Sequence, residues 1–153
     1  LINASGQFLE PTPGMSFFHS ADAFGMIRGG HIDVTVLGAL QVSEKGDLSN
    51  WMLPSRGIGN VGGAMDLAVG AKRVIVAMEH KGRSGEPKIV SECSFPLTSP
   101  SCVSLIVTDI AVISVEHKGL ILKETAPGWG LEDVQKETEP ELIPADDMKE
   151  IEL

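Results

Sequence analysis

Arg73-Val74-Ile75-Val76-Ala77-Met78 is a near-continuous apolar run, mostly β-branched. A run without alternating polar positions reads as a strand inside a parallel sheet, buried on both faces. A parallel neighbour requires a long crossover, usually through a helix. Both requirements are met upstream. In His31 to Gly38, Ile32, Val34 and Val36 alternate with His31, Asp33 and Thr35, a strand with one face more polar than the other. Ala64 to Ala71 reads as a helix. Strand, crossover with helix, strand is a βαβ unit, expected to be right-handed. The chain is thereby restricted to the α/β class: an open, mixed β-sheet with flanking helices.

The other elements follow from local signals. Ser20 is placed to cap a short helix over Ala21 to Arg28, with Asp22 in its first turn and Gly29-Gly30 as its stop. Strands are expected near 32–37, 74–78, 103–108, 111–115 and 120–123, the last two joined across Glu116-His117-Lys118-Gly119 as a hairpin. Leu131 to Glu137 reads as a short helix, and from about residue 139 the chain is expected to fray into an acidic tail. Residues 1–19 read as an extended segment, and Gly38 to Gly59 as a long irregular stretch forming a binding wall. Glu79 to Lys88 reads as a polar surface loop, with His80 solvated.

At 153 residues the chain is long enough for one domain with a buried core, spanning 1–153. Its 42% hydrophobic content and mean hydropathy of +0.12 fit a globular protein, and no apolar run is long enough to span a membrane. The net charge of −9 is uneven: residues 124–152 hold ten acids against Lys136 and Lys149. No basic face is left to bind nucleic acid. Cys93 and Cys102, without zinc-spaced partners, read as two free, buried thiols, and no metal site is expected. The chain opens on Leu1 in what reads as mid-domain sequence, as a piece of a longer protein would.

The stretch with chemical content is Asn60-Val61-Gly62-Gly63-Ala64-Met65-Asp66, where a Gly-rich loop opens the helix. Adjacent glycines let backbone N–H groups approach a ligand closely, and a helix's first turn adds free N–H groups. Such a turn can hold an anion, bound or transient; it can equally be glycine-rich only to pack closely. There is no Gly-x-Ser-x-Gly, phosphate-binding loop, His-Glu-x-x-His or Cys-x-x-Cys. Spacing alone stops at an α/β domain with an anion-holding turn.

Longer motifs go further. Met26-Ile27-Arg28-Gly29-Gly30-His31-Ile32-Asp33, Leu37 to Ser43, Gly46-Asp47-Leu48-Ser49-Asn50-Trp51 and Val61 to Leu67 closely resemble the B part of 3-oxoacid (acetoacetate/succinyl) CoA-transferases. Pro96-Leu97-Thr98, Thr108 to Ile113 and Leu131-Glu132-Asp133-Val134 continue the resemblance over essentially the whole chain. It implies a truncated CoA-transferase fold of the NagB/RpiA-like type and transfer of CoA from succinyl-CoA to acetoacetate, the ketone-body substrate, through a glutamyl-CoA thioester. It also implies coenzyme A as co-substrate with no other cofactor, a partner A-type chain or domain in an oligomer, and no nucleic acid or membrane. The expected place is the cytoplasm of a bacterium or the mitochondrial matrix of a eukaryote.

In this family the glycine matching Gly63 lends a backbone N–H to the oxyanion. The nucleophile lies in a Ser-Glu-Asn-Gly motif upstream of the point matching Leu1; Ser43-Glu44-Lys45-Gly46 matches a different segment and is rejected. The chain alone is therefore expected to be inactive, and apolar surface is expected to be bare near residues 1–19 and the long loop. Gln41, Asn50, Gly62 and Gly63 are the expected CoA- or substrate-binding residues. Asn50 can equally bind its own loop, and Trp51 packs or stacks on adenine. Asp66 is expected to complement the helix dipole and Arg28 to satisfy the last carbonyls of its helix. A non-catalytic CoA-binding or partner-binding domain of the same fold is the alternative.

Overall fold

The computed structural model describes residues 1–2, 6–57 and 59–152, with Arg56 by its backbone alone. Among the described residues three α-helices and nine strands, besides a short 3-10 helix at Pro54–Arg56, follow in chain order: α1 (Ser20–Arg28), β1 (Val34–Leu37), β2 (Gln41–Ser43), β3 (Leu48–Ser49), α2 (Ala64–Gly70), β4 (Arg73–Ala77), β5 (Ile89–Val90), β6 (Val103–Val107), β7 (Ala111–Glu116), β8 (Gly119–Thr125), α3 (Leu131–Lys136) and β9 (Leu142–Glu150). A six-stranded sheet has the order β1-β4-β6-β7-β8-β9, and a three-stranded sheet has the order β3-β2-β5. β1, β4 and β6 are parallel, β6-β7-β8 antiparallel, and β8 and β9 parallel again. The mixed open α/β sheet expected from the sequence is present.

The core lies on one face of the large sheet. Register aligns Thr35, Val74 and Val103 in one row and Leu37, Val76, Ile106 and Ile113 in the next. Val74, Val76, Val103, Ile106 and Ile113 are buried, and they cluster with Val42, Leu48 and Ile89 of the small sheet, Ala68 of α2 and Val134 of α3. A bulge at Ser104, whose hydroxyl donates to the Val74 carbonyl at 2.9 Å, re-aims β6 so that Val103 and Ile106 both point into this core.

Several expectations need correction. In β1 the buried residue is Thr35, while Val34 and Val36 are 49% and 61% exposed, because no helix among the described residues covers their side of the sheet. The stretch from Gly38 to Gly59 is not irregular throughout: it holds β2 and β3, too short to show a period. Their hairpin is closed by Ser43, whose hydroxyl donates to Asp47 (2.8 Å) and accepts the Asp47 N–H (3.1 Å). The acidic end does not fray at 139 but adds β9 to the sheet. Leu142 is buried, and Gln135 clasps the approach, donating to the Thr138 and Pro140 carbonyls and accepting the Leu142 N–H at 2.8 Å. The carboxylates and Pro144 sit on an outer strand, where charge and a missing donor are tolerated and discourage further pairing. α1 begins at Ser20 itself, capped by His19, whose Nδ1 accepts the Ala21 N–H at 3.1 Å.

Bare apolar groups do occur near the N-terminus: Phe8, Phe17 and Phe18 are exposed. In the long loop Trp51, Met52 and Leu53 are half-buried instead. Cys93 and Cys102 are free but half-buried, and burial pushes both thiols up, away from the reactive thiolate.

Candidate active site

α2 returns the chain to the sheet: two residues after it β4 begins, and the Lys72 N–H donates to the Ile32 carbonyl just before β1. The Gly62-Gly63 turn opens α2 at its other end. Gly62 has φ +51°, the left-handed region where glycine is tolerated best, with open space where a Cβ would sit. Its N–H donates to Asn60 Oδ1 at 3.1 Å, which sets the turn. Gly63 caps α2 with φ −94°, so no backbone strain requires glycine there. Space is tight instead: an added Cβ would lie 3.3 Å from the Phe24 ring, which would have to give by a few tenths of an ångström. Its carbonyl accepts the Leu67 N–H, while its own N–H has no acceptor among the described residues. A backbone donor left open at an ordered helix start is what oxyanion stabilisation needs.

Helix α1 supports this turn. Gly70 lets the helices touch, since a Cβ there would collide with the Ile27 backbone. Arg28 Nε and Asp66 Oδ1 pair at 2.6 Å across the two helices, and the guanidinium lies 6.0 Å from the Phe24 ring centroid. Asp66 does sit in the first turn of α2 and Arg28 in the last turn of α1, and beyond those expected places the two share one bond. It joins residues 38 apart in sequence, so no local signal foretold it, and nothing local marked Phe24 as the floor under Gly63. A shallow hollow of about 360 Å³ lies beside them, lined by Arg28, Met65, Asp66, Val69 and Gly70.

Gln41 and Asn50 serve the architecture around the site. Gln41 Oε1 accepts the N–H groups of Ser94 (2.9 Å) and Phe95 (3.2 Å), and its Nε2 donates to the Ser94 hydroxyl. Asn50 Nδ2 donates to the Gly38 carbonyl (3.0 Å), and its Oδ1 accepts the Thr98 hydroxyl (2.7 Å). Asn50 therefore binds its own loop, tying the end of β1 to the 97–98 turn. Trp51 packs, its indole N–H donating to the Leu97 carbonyl at 3.1 Å. Gln41, Asn50 and the glycine turn thus belong to one crossover but share no hydrogen bond.

His80 is not solvated. It is 1% exposed, at the end of β4 beside the end of β6. Nδ1 lies 3.0 Å from the Thr108 hydroxyl, Nε2 lies 2.9 Å from the Thr138 hydroxyl, and the backbone N–H donates to Asp109 at 2.7 Å. The Thr138 proton goes to the Val134 carbonyl at 2.8 Å, so Thr138 accepts and Nε2 carries the ring proton. The Thr108 oxygen accepts the N–H groups of Ile110 and Ala111, and its hydroxyl proton has two acceptors in reach, Nδ1 at 3.0 Å and the Ala111 carbonyl at 3.2 Å. Burial pushes the pKa of His80 down, with Lys81 adding to this, against the opposing pull of Asp109 and Glu137.

A cleft of about 1320 Å³ lies elsewhere, against the β7–β8 hairpin and the start of β6, with Glu44, Lys45, Glu116 and Lys118 in its walls. Glu44 of the rejected motif is thus at the end of the sheet where the parallel strands begin. Ligand sites of open α/β sheets gather where such strands end. No group of three or more His, Cys, Asp or Glu fit for a metal occurs among the described residues. No helix among them is long and apolar enough to cross a membrane.

Fold and site together define an α/β protein with a glycine turn that offers a backbone donor at a helix start. The Coenzyme A transferase family model matches residues 1–137. The B subunit of the succinyl-CoA:3-ketoacid coenzyme A transferase of Helicobacter pylori is 50% identical over 141 residues, 92% of this chain and 68% of that protein. The B subunit of the 3-oxoadipate CoA-transferase of Pseudomonas putida is 51% identical over 137 residues, covering 89% and 64%. The acyl-CoA transferase YdiF of Escherichia coli O157:H7 superposes with a TM-score of 0.79 at 19% identity, over 90% of this chain and 31% of that one. The chain belongs to the coenzyme A transferase family and is of the B type. It spans about two thirds of the length of the curated B subunits it matches.

Proposed function

We propose that this chain is the oxyanion-holding part of an enzyme that moves CoA from an acyl-CoA such as succinyl-CoA to a 3-oxo acid such as acetoacetate. The observation that carries this reading is the open Gly63 N–H, on a turn set by Asn60 and floored by Phe24. A glutamate carboxylate attacks the thioester carbonyl, the C–S bond breaks, and CoA leaves as thiolate from a mixed anhydride. The thiolate then attacks the glutamyl carbonyl, forming a glutamyl-CoA thioester and releasing the donor acid. The acceptor carboxylate attacks that thioester, and the same two steps in reverse yield its CoA ester and free glutamate. Each addition puts negative charge on a carbonyl oxygen, and the Gly63 N–H is the donor assigned to it.

This sequence contains no Ser-Glu-Asn-Gly, so the nucleophile comes from outside these 153 residues, and the chain alone is assigned no transfer activity. An A-type chain or domain completes the oligomeric enzyme, and CoA is co-substrate, with no other cofactor assigned. Relatives with different acid substrates in their names are about equally similar, so 3-oxo acids are proposed as a class. The mouse relative is named mitochondrial, which supports the mitochondrion for a eukaryotic source, the matrix being the proposed compartment; for a bacterial source the cytoplasm is proposed. The test is Gly63→Val in the complete two-part enzyme, assayed for transfer from succinyl-CoA to acetoacetate beside a thermal melt. A large rate loss beside only a small fall in the melt, from crowding against Phe24, is expected; near-normal turnover removes Gly63 from the mechanism.

A further inference from the structure

Helix α2 carries the Gly63 N–H at its start, yet it is seven residues long, of which Ala68 is buried, and no side chain caps it. A helix this short does not hold its own place; packing does that. The packing comes from α1 at both ends of α2. At the far end Gly70 lies against the Ile27 backbone. At the near end two residues one turn apart on α1 face two residues one turn apart at the start of α2. The Phe24 ring lies under Gly63, and Arg28 Nε donates to Asp66 Oδ1 at 2.6 Å. The Arg28 guanidinium lies over that same ring, 6.0 Å from its centroid, so the four residues close into one frame.

We propose that Arg28 is a positioning residue for CoA transfer: through Asp66 and Phe24 it fixes the first turn of α2, and so the aim of the Gly63 N–H. This rests on Gly63 as the oxyanion donor and adds what holds that donor in place. Gly63 has no side chain to anchor it. Asn60 sets the conformation of the turn through the Gly62 N–H, and the Arg28 frame sets its place against α1. Aim matters here more than stability. Arg28 is 70% exposed and Asp66 23%, and an ion pair that open adds little to the melt. A hydrogen bond, in contrast, weakens steeply once its donor angle falls below about 120°. An oxyanion donor contributes only when it points to where the charged oxygen forms. An arginine that bound the ligand itself would move a different kinetic constant.

The test measures kcat and KM for succinyl-CoA, beside a thermal melt, in the complete two-part enzyme carrying Arg28→Ala, Asp66→Asn or both. Each single change should lower kcat about tenfold with KM held within about twofold, because the donor acts on the transition state and not on the bound thioester. The double variant should be no slower than the slower single one, since both changes break the same link. Arg28→Lys keeps a cation for Asp66 and should recover most of the rate. A raised KM at unchanged kcat makes Arg28 a contact of the ligand and overturns the proposal. Losses that multiply in the double variant overturn it too. Gly63→Val in the same enzyme separates the two levels. If that variant turns over normally, the oxyanion role fails and the role of Arg28 with it. If it is slow while Arg28→Ala is normal, only the role of Arg28 fails.

Discussion

Replacing His80 by phenylalanine tests the buried latch, since a ring of similar size keeps the packing and removes only the two nitrogens. Thr138 retains its bond to the Val134 carbonyl, and the Thr108 hydroxyl can turn to the Ala111 carbonyl at 3.2 Å. Neither threonine is left without a partner, so the loss is two neutral hydrogen bonds, or about 2 kcal/mol near pH 7. The pH dependence separates this latch from ordinary packing. The folded-state pKa of His80 is lowered, so the unfolded chain binds the extra proton first. Its stabilising contribution is complete above the unfolded value of about 6.5 and is lost as pH falls below it. The loss approaches about 1.4 kcal/mol per pH unit until the folded pKa is reached. Asp33 and Asp133, whose pKa values are lowered by Lys72 and by the Gly130 N–H, respectively, contribute only in the carboxylate range near pH 4 and below. Urea unfolding at about pH 7 and about pH 5 should therefore show a steeper acid loss for the native chain than for His80→Phe, the two curves converging as pH falls. Parallel curves would refute the argument that burial holds His80 neutral.

In the complete enzyme, Gly63→Val should cost about 3 kcal/mol of transition-state stabilisation, a hundredfold or more in rate. Trimming the floor with Phe24→Ala in the same variant should relieve the crowding in a thermal melt without restoring turnover. Asn50→Ala removes the side-chain bonds to the Gly38 carbonyl and from the Thr98 hydroxyl, which keeps only the backbone N–H of residue 50, and should lower stability by about 1–3 kcal/mol in urea unfolding. If it instead changes only the KM for acyl-CoA, the side chain contacts substrate. Arg28→Ala removes a pair whose arginine is 70% exposed, so the melt should move by less than about 1 kcal/mol. Gln135→Ala should release β9, read as faster amide exchange over residues 142–150 with little change in β4 or β6.

Where the sequence pattern is long and local, it determined the outcome. The β-branched run at 73–78 became the central parallel strand β4, the residues around Glu116-His117-Lys118-Gly119 became the β7–β8 hairpin, and Gly62-Gly63 became the start of α2. Each depends on the periodicity or backbone freedom of neighbouring residues, which sequence displays directly. The tertiary structure alone decided what depends on distant partners. His80 is polar within a polar loop, and only the ends of β6 and α3 bury it. The acidic end is an unpromising strand until β8 offers it an edge. Arg28 and Asp66 meet because α1 lies against α2 at Gly70. The side of β1 that is buried was undecidable from its alternation, because alternation separates two faces without saying which one a neighbour will cover. Handed crossovers on a single side of the sheet settled that, leaving Thr35 inside and Val34 and Val36 outside.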